Sequence, residues 1–434
     1  MPKIAVVVFD TLRKDTFDKF FEWLPGHHYH NVYSTANYTL PAHASMFSGR
    51  YPSEVGCHAR SENSPLPEAS IIDILNSEGY HTISLSENIL LNSSELLNQF
   101  DELERLGPAK LSSGEIFPWK EEVSNVDYPS PLKEGLLFMK LLQSQYENLL
   151  SLKMGYRIWK NTHSEGIDDL ISYLSKAKIE DDTFAFINLM TVHDPYYMGE
   201  SGGDFTHPPP YTSAEQAEGY KTRYKKSANF LSGKYKDVYL LLQSEFDHII
   251  TLSDHGEVFG EYEFHTKRLM QHYYGIFPEI TQIPIVIQSM KEEITRDPSD
   301  PASILEVYNT ILDIIGKKEY YHGNSLFEKA ETPYLIEHHG IRQGSQSYLE
   351  RNKVPKDIIE EYDEYLRGVV TSSGYHYEMG SNVTSNDPEE KVGEKKLDKM
   401  FSQEIIRNDS KKTNDHIDRN DDNVKQHLKE LGYL

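Results

Sequence analysis

The stretch that most limits what this chain can become is residues 3–9, Lys-Ile-Ala-Val-Val-Val-Phe, followed at once by Asp10. A run so apolar and β-branched offers no face to water, so it reads as a strand covered on both sides of a parallel sheet. Tyr80–Leu85, Thr183–Met190, His248–Leu252 and Ile283–Gln288 read as further strands. Helical patterns fall at 68–78 (stopped by Gly79), at Tyr239–Glu245 and at Ile304–Ile315. The alternation predicts an α/β fold, a mixed, mainly parallel sheet flanked by helices. Ligands of such sheets bind beyond the carboxyl ends of the strands. Asp10, His193 and Asp254 each follow such an end.

At 434 residues the chain is long enough for one large domain with an appendage, or for two domains. The α/β pattern covers 1–330, with insertions at about 100–170 and 198–235. The first insertion holds a leucine-rich helical pattern at 132–160, read as core or as a lid. The second holds 198–228, rich in Gly, Pro, Tyr and charge, read as an excursion over the active face. From about 330 the pattern changes to a smaller C-terminal α+β subdomain, 331–434. Its strands are Tyr334–Glu337 and Gly368–Thr371; a polar stretch fills 376–422, and a last amphipathic helix runs Asp422–Leu431.

Forty-four basic against 68 acidic residues leave a formal charge of −24, which repels phosphate backbones and argues against a nucleic-acid partner. A single cysteine, Cys57, excludes an internal disulfide framework and a cysteine-rich metal site. The start, MPKIAVVVFD, lacks the charged and apolar regions of a secretory signal, and no stretch approaches the length of a membrane span. A cytoplasmic protein without a membrane span is the expectation.

Residues 34–56 carry the densest chemistry. Thr39 stands two residues before Pro41 at the start of a short helical run that ends at Gly49. Thr39 or its neighbour would cap that helix, and proline suits a first turn because it needs no amide donor there. The helix N-terminus favours a tetrahedral oxyanion, so Thr39 is placed to attack or hold a phosphate or sulfate. By itself Thr-x-Pro is equally an ordinary helix start. Asp10, Asp254 and His255 suit a divalent cation, and Thr39 could join them, which would make its hydroxyl a usable nucleophile. His43, His193 and His265 are candidates to face the leaving group, and Lys267 to neutralise a non-bridging oxygen.

Taken in order, these residues resemble the sulfatase branch of the alkaline phosphatase superfamily. The matching pieces begin with Val7-Val8-Phe9-Asp10-Thr11-Leu12-Arg13-Lys14-Asp15, Thr39-Leu40-Pro41-Ala42-His43-Ala44-Ser45 and Gly49-Arg50-Tyr51-Pro52. They continue with Gly79-Tyr80-His81-Thr82, His193-Asp194-Pro195-Tyr196, Ser253-Asp254-His255-Gly256-Glu257 and Leu431-Gly432-Tyr433-Leu434. The resemblance implies an alkaline-phosphatase-like sheet and one divalent metal ion (Ca, Mg, Mn or Zn) held by Asp10, Asp254 and His255. Thr39 matches the nucleophile position and His193 a histidine facing the transferred group. His265 falls near a family histidine or lysine, about two residues short in spacing. Thr11 replaces a second metal-binding aspartate.

Departures from the pattern bear on the chemistry. Sulfatases mature a Cys or Ser, in a pattern ending Pro-x-Arg, into an aldehyde. Here Thr39 and His43 hold those two positions. The family's Gly-Lys-x-His clamp is replaced by Ser86-Glu87-Asn88-Ile89, where Asn88 could offer a neutral donor to substrate. Unmodified threonine nucleophiles belong to phosphodiesterase and phosphoethanolamine-transferase relatives. The reading is therefore a metal-dependent hydrolase that cleaves a phosphate ester, or a sulfate ester, through a metal-bound threonine. The partner is a small-molecule, glycan or lipid ester. A true sulfatase, a phospho- or sulfo-group transferase to a sugar or lipid, and a binding protein that kept its metal are the alternatives.

Overall fold

The computed structural model describes residues 1–61, 65–67, 69–107, 109, 139–141, 165–194, 196, 208–290, 294–380, 382–386, 397–399 and 401. The 132–160 pattern lies almost wholly outside these residues, as does the Asp422–Leu431 helix.

In chain order the strands are β1 (Ile4–Phe9), β2 (His27–Tyr33), β3 (His81–Ser86), β4 (Glu102–Arg105) and β5 (Thr183–Leu189). Then come β6 (Tyr211–Thr212), β7 (His248–Leu252), β8 (Val258–Phe264), β9 (Lys267–Gln271), β10 (Gln282–Ser289) and β11 (Ala302–Ser303). The last four are β12 (Tyr334–His339), β13 (Tyr365–Val370), β14 (Tyr375–Met379) and β15 (Asn382–Ser385). Eight of them form the central sheet in the order β11-β2-β10-β7-β1-β5-β3-β4. β1 runs parallel to both β5 and β7, β3 parallel to β4 and β5, and only β10 opposes its neighbours. Every residue of β1, β5 and β7 is buried, as the unbroken apolar run of β1 requires of a central strand.

Two apolar layers cover the sheet. Ile4, Val6 and Val8 join the Thr39–Ser48 and Glu306–Ile314 helices on one face. Ala5, Val7 and Phe9 meet the 32-residue helix Ala214–Glu245 on the other. That helix corrects the excursion read at 198–228. Residues 214–228 belong to it, and Tyr239–Glu245 is its end. Its low overall hydropathy hides a buried stripe of Ala217, Tyr224, Ala228, Leu231, Tyr235, Val238 and Leu242, spaced by three, four or seven residues along one side.

The C-terminal region forms a four-stranded antiparallel sheet, β12-β13-β14-β15. It is joined to the main body through Glu337, whose amide donates to the Thr35 carbonyl and whose carboxylate accepts from the Ser53 amide and hydroxyl. Among the described residues no helix is long and apolar enough to cross a membrane.

Candidate active site and metal centre

Four neighbouring strands of the sheet, β7-β1-β5-β3, deliver polar residues at their carboxyl ends. Asp254 and His255 follow β7, Asp10 follows β1, His193 follows β5 and Asn88 follows β3. The Ser253 hydroxyl fixes the first two of these ends together by donating to Phe9 O at 2.7 Å and accepting from the Leu12 amide at 2.9 Å. Gly256 completes the turn. A Cβ there would sit against the Glu279 carbonyl oxygen, well inside van der Waals contact.

Thr39 is the first residue of its helix, and Tyr38, in extended conformation, is the N-cap. Of the two residues the sequence offers as cap, the position falls to the neighbour, Tyr38. No side chain caps the helix, and the threonine hydroxyl turns to the strand ends. Its Oγ1 lies 3.5 Å from Asp10 Oδ2 and 3.5 Å from His255 Nε2. His255 Nδ1 is engaged by the Gly256 carbonyl at 2.9 Å, so Nε2 faces inward, 3.5 Å from Asp254 Oδ2 and 3.9 Å from Asp10 Oδ1.

These groups fit a cation. Asp10, Asp254 and His255 are fully buried and could place one ligand atom each around an ion. Asp254 Oδ1 accepts the Thr11 and His255 amides, whereas its Oδ2 is an orphan; so is Asp10 Oδ1. Buried carboxylate oxygens without donors are costly unless a positive charge meets them. Burial raises Asp254 to about 7, and burial together with the Asp254 charge raises Asp10. Burial, with His272 beside it, lowers His255 to about 3. Thr11 turns away and donates to Val192 O, which leaves two carboxylates and one imidazole for a single ion.

Asn88, offered by the sequence as a donor to substrate, lines the pocket. Its Nδ2 donates to Asp10 Oδ2 at 2.7 Å while its Oδ1 accepts the Leu90 and Leu91 amides. His193 does too, as a pocket wall paired with Asp194 Oδ1 at 2.7 Å. Burial alone would lower His193, but the Asp194 charge, with Asp10 and Glu257 beyond it, carries it up to about 10. His43 lies behind the pocket. Its Nδ1 contacts Thr39 O at 2.8 Å and its ring packs edge-on to Phe47 and Phe186, so it braces the helix and faces no leaving group.

Two further expectations are corrected. His265 sits at the tip of the β8–β9 hairpin, 59% exposed and bonded to Asp357, and Lys267 is exposed over the Tyr211 ring. Neither lines the pocket. The hairpin returns instead at His272, which the sequence reading missed. Its Nδ1 meets Glu257 Oε1 at 3.0 Å, and its ring lies 4.6 Å from His255 and 5.7 Å from His193. Burial, then the His193 charge, lowers His272 to about 4. Glu257, which also accepts the Tyr196 hydroxyl, is raised to about 8 by burial.

Above Thr39 the cavity measures about 360 Å³, with Asn88, His193 and His272 among its walls and Arg342 reaching it from the C-terminal region. The family described as Sulfatase matches residues 19–317, well over half of the sequence. The chain belongs to the sulfatase family. No curated protein sequence matches it. Among solved structures, this sulfatase-family chain is similar to a phosphonate monoester hydrolase from Silicibacter pomeroyi. The two are 14% identical with a TM-score of 0.58, covering 94% of this chain and 95% of the other. A putative sulfatase from Bacteroides thetaiotaomicron gives 14% and 0.56 over 98% and 96%. A 2-O GAG sulfatase gives 15% and 0.57 over 96% and 95%. At such identities the likeness is one of fold.

Proposed function

We propose that this sulfatase-family chain is a metal-dependent hydrolase of phosphoric esters, with Thr39 as the nucleophile. The observation that carries this reading is the Thr39 hydroxyl, 3.5 Å from both Asp10 and His255, at the edge of a cluster whose carboxylate oxygens Asp10 Oδ1 and Asp254 Oδ2 are orphaned. A divalent cation held by Asp10, Asp254 and His255, with Thr39 beside it, would supply Lewis acidity and hold the hydroxyl near its ionised form.

The chain's own groups account for the rest. Thr39 Oγ1 attacks phosphorus as the bond to the leaving oxygen breaks, and Asp10 Oδ2, 3.5 Å away, takes the hydroxyl proton. His193, kept charged by Asp194, faces the pocket and gives its proton to the leaving oxygen. Water then gives a proton to the neutral His193 and attacks phosphorus as the bond to Oγ1 breaks, and Oγ1 recovers its proton from Asp10. His272, oriented by Glu257, forms the polar wall beside His193.

Thr39 also favours phosphoryl over sulfuryl chemistry, because a threonine side chain cannot be oxidised to the aldehyde that sulfatases use. The sulfuric-ester alternative rests on the family match. The test is turnover of an aryl phosphodiester, an aryl phosphonate monoester and an aryl sulfate by protein loaded with each of Ca, Mg, Mn and Zn, with mass spectrometry of the Thr39 peptide. The reading expects a phosphoryl adduct on Thr39 during turnover of a phosphorus ester. Turnover confined to the sulfate, without that adduct, would replace it with the second reading.

A further inference from the structure

We infer that Glu87 selects esters that carry an ammonium group a short aliphatic chain away from phosphorus. This rests on the reading of the pocket as an ester site. Glu87 follows β3 directly and lines the cavity together with Thr39 and Asn88. It is only 6% exposed, so its carboxyl is part of a buried wall and not a solvated surface charge. The next residue, Asn88, donates to Asp10 Oδ2 at 2.7 Å, which puts Glu87 beside the cluster where phosphorus would be held.

The carboxyl is half satisfied. Its Oε2 accepts the Met190 amide, and among the described residues nothing donates to Oε1 and no basic side chain pairs with it. Burial raises Glu87 to about 8 against the pull of the Met190 amide, and the acidic Asp169 and Asp10 add to the rise. An ionised carboxyl so placed is costly until a cation meets it. Its seat is built from bare backbone. Gly166 opens the Glu165–Leu174 helix, and a Cβ there would fall 1.3 Å from Glu87 Oε1. Gly107, with φ +51, lies against Gly166, and a Cβ on it would meet the same oxygen at 3.4 Å. What exposure remains to Glu87 is toward the cavity.

A substrate ammonium supplies what this wall lacks. It brings a full positive charge and up to three donors to an oxygen that has none. The net charge of −24 draws such a cation toward the molecule. An anionic substituent in the same place would meet a buried carboxyl, and an apolar one would leave that carboxyl unpaired, so both are disfavoured.

The experiment is equilibrium binding by calorimetry to metal-loaded wild-type, Thr39→Ala, Glu87→Gln and Glu87→Asp proteins, each checked by thermal melting. The probes are 2-aminoethylphosphonate and 3-aminopropylphosphonate, each against the alkyl phosphonate of matching size, and 2-hydroxyethylphosphonate. Measurement at about pH 9 keeps the amines charged and Glu87 ionised. At least one amino probe is expected to bind wild type and Thr39→Ala roughly tenfold tighter than its alkyl match, the scale of one charge-assisted pair. That advantage should fall below about threefold in Glu87→Gln, which keeps the shape and an acceptor for the Met190 amide, and persist in part in Glu87→Asp. No advantage for either amine in wild type, or an advantage that survives in Glu87→Gln, overturns the assignment. Equal binding of the hydroxyl probe overturns it too, because charge is then not being read. Binding needs no turnover. A protein inactive on every ester that keeps the Glu87-dependent preference would sink the hydrolase reading and leave this one standing, and turnover without the preference does the reverse.

Discussion

Thr39 Oγ1 and His255 Nε2 stand 3.5 Å apart although 216 residues separate them in sequence. One end of the pair is set by a helix start, the other by a strand end. Contact between them means that the threonine hydroxyl and the ligand cluster were brought together by the sheet. The comparison of Thr39→Ser with Thr39→Ala isolates the role of that oxygen. Serine keeps it and loses a methyl, so kcat on a phosphorus ester should stay within about tenfold of wild type. Alanine should lower kcat by roughly a thousandfold, the scale of losing an acting nucleophile. Steady-state rates with metal content held equal check both, and an alanine variant within tenfold of wild type would exclude the covalent route.

Asp10 and Asp254 make opposite predictions with and without metal. In metal-free protein, Asp10→Asn removes one of two buried carboxylates, and the Asn88 amide can still donate to the new side-chain oxygen. Relief of an unpaired buried charge is worth about 1–3 kcal/mol, so the metal-free variant should melt higher than metal-free wild type. Added metal should raise only the wild type strongly, by roughly 2.7 kcal/mol at a hundredfold excess over Kd. Thermal melts with chelator and with each divalent ion measure this. A variant that melts lower in chelator, or that keeps the full metal response, contradicts the assignment.

Some of the positions that the sequence singles out and the fold gathers share one property: each follows a buried strand directly, so the apolar run locates it. Asp10 after β1 and Asp254-His255 after β7 are of this kind, and Gly256 marks the turn. His272 was missed because the candidate was taken from its spacing after Asp254-His255, which picked His265. From Glu257 the chain goes out along β8, turns at His265 in a left-handed conformation, and returns along β9, so Val258 pairs with Gln271. The residue at the tip is remote and the residue at the base is adjacent. A turn at His265-Thr266 between two alternating segments was the available signal. Arg342 had none, since only the docking of β12 through Glu337 and Thr35 brings its loop to the cavity.

Arg13 ties the end of β1 to the β8 hairpin through Glu261 at 2.7 Å, and this pair gives a pH signature away from the metal ligands. Burial would raise the Glu261 carboxyl, but the Arg13 charge and bonds from Lys221, Arg13 and the Phe259 amide bring it down to about 2. A carboxyl with a lowered folded pKa stabilises fully above its unfolded value, near 4.3, and loses that contribution as pH falls toward 2. Glu261→Gln should therefore be less stable than wild type by up to about 3 kcal/mol at pH 6 to 7. The gap should stay constant down to about pH 5 and narrow below it. Urea unfolding of both proteins at several pH values provides the comparison, and a gap that widens on acidification reverses the assigned sign.

Gly256 tests whether the turn after Asp254-His255 is dictated by space alone. Its amide donates to the Ile280 carbonyl at 2.6 Å, and its own carbonyl holds His255 Nδ1. An alanine methyl would collide with backbone at Glu279, which cannot swing aside like a flexible side chain. The turn must shift, and the carbonyl that orients the His255 ring shifts with it. Gly256→Ala should cost about 2 kcal/mol or more in stability and weaken metal binding by roughly 10- to 100-fold, the usual cost of disturbing the group that orients a ligand. Metal titration of the folded variant separates the two effects. Loss of stability with unchanged metal affinity would show that the glycine relieves packing and has no part in aiming His255.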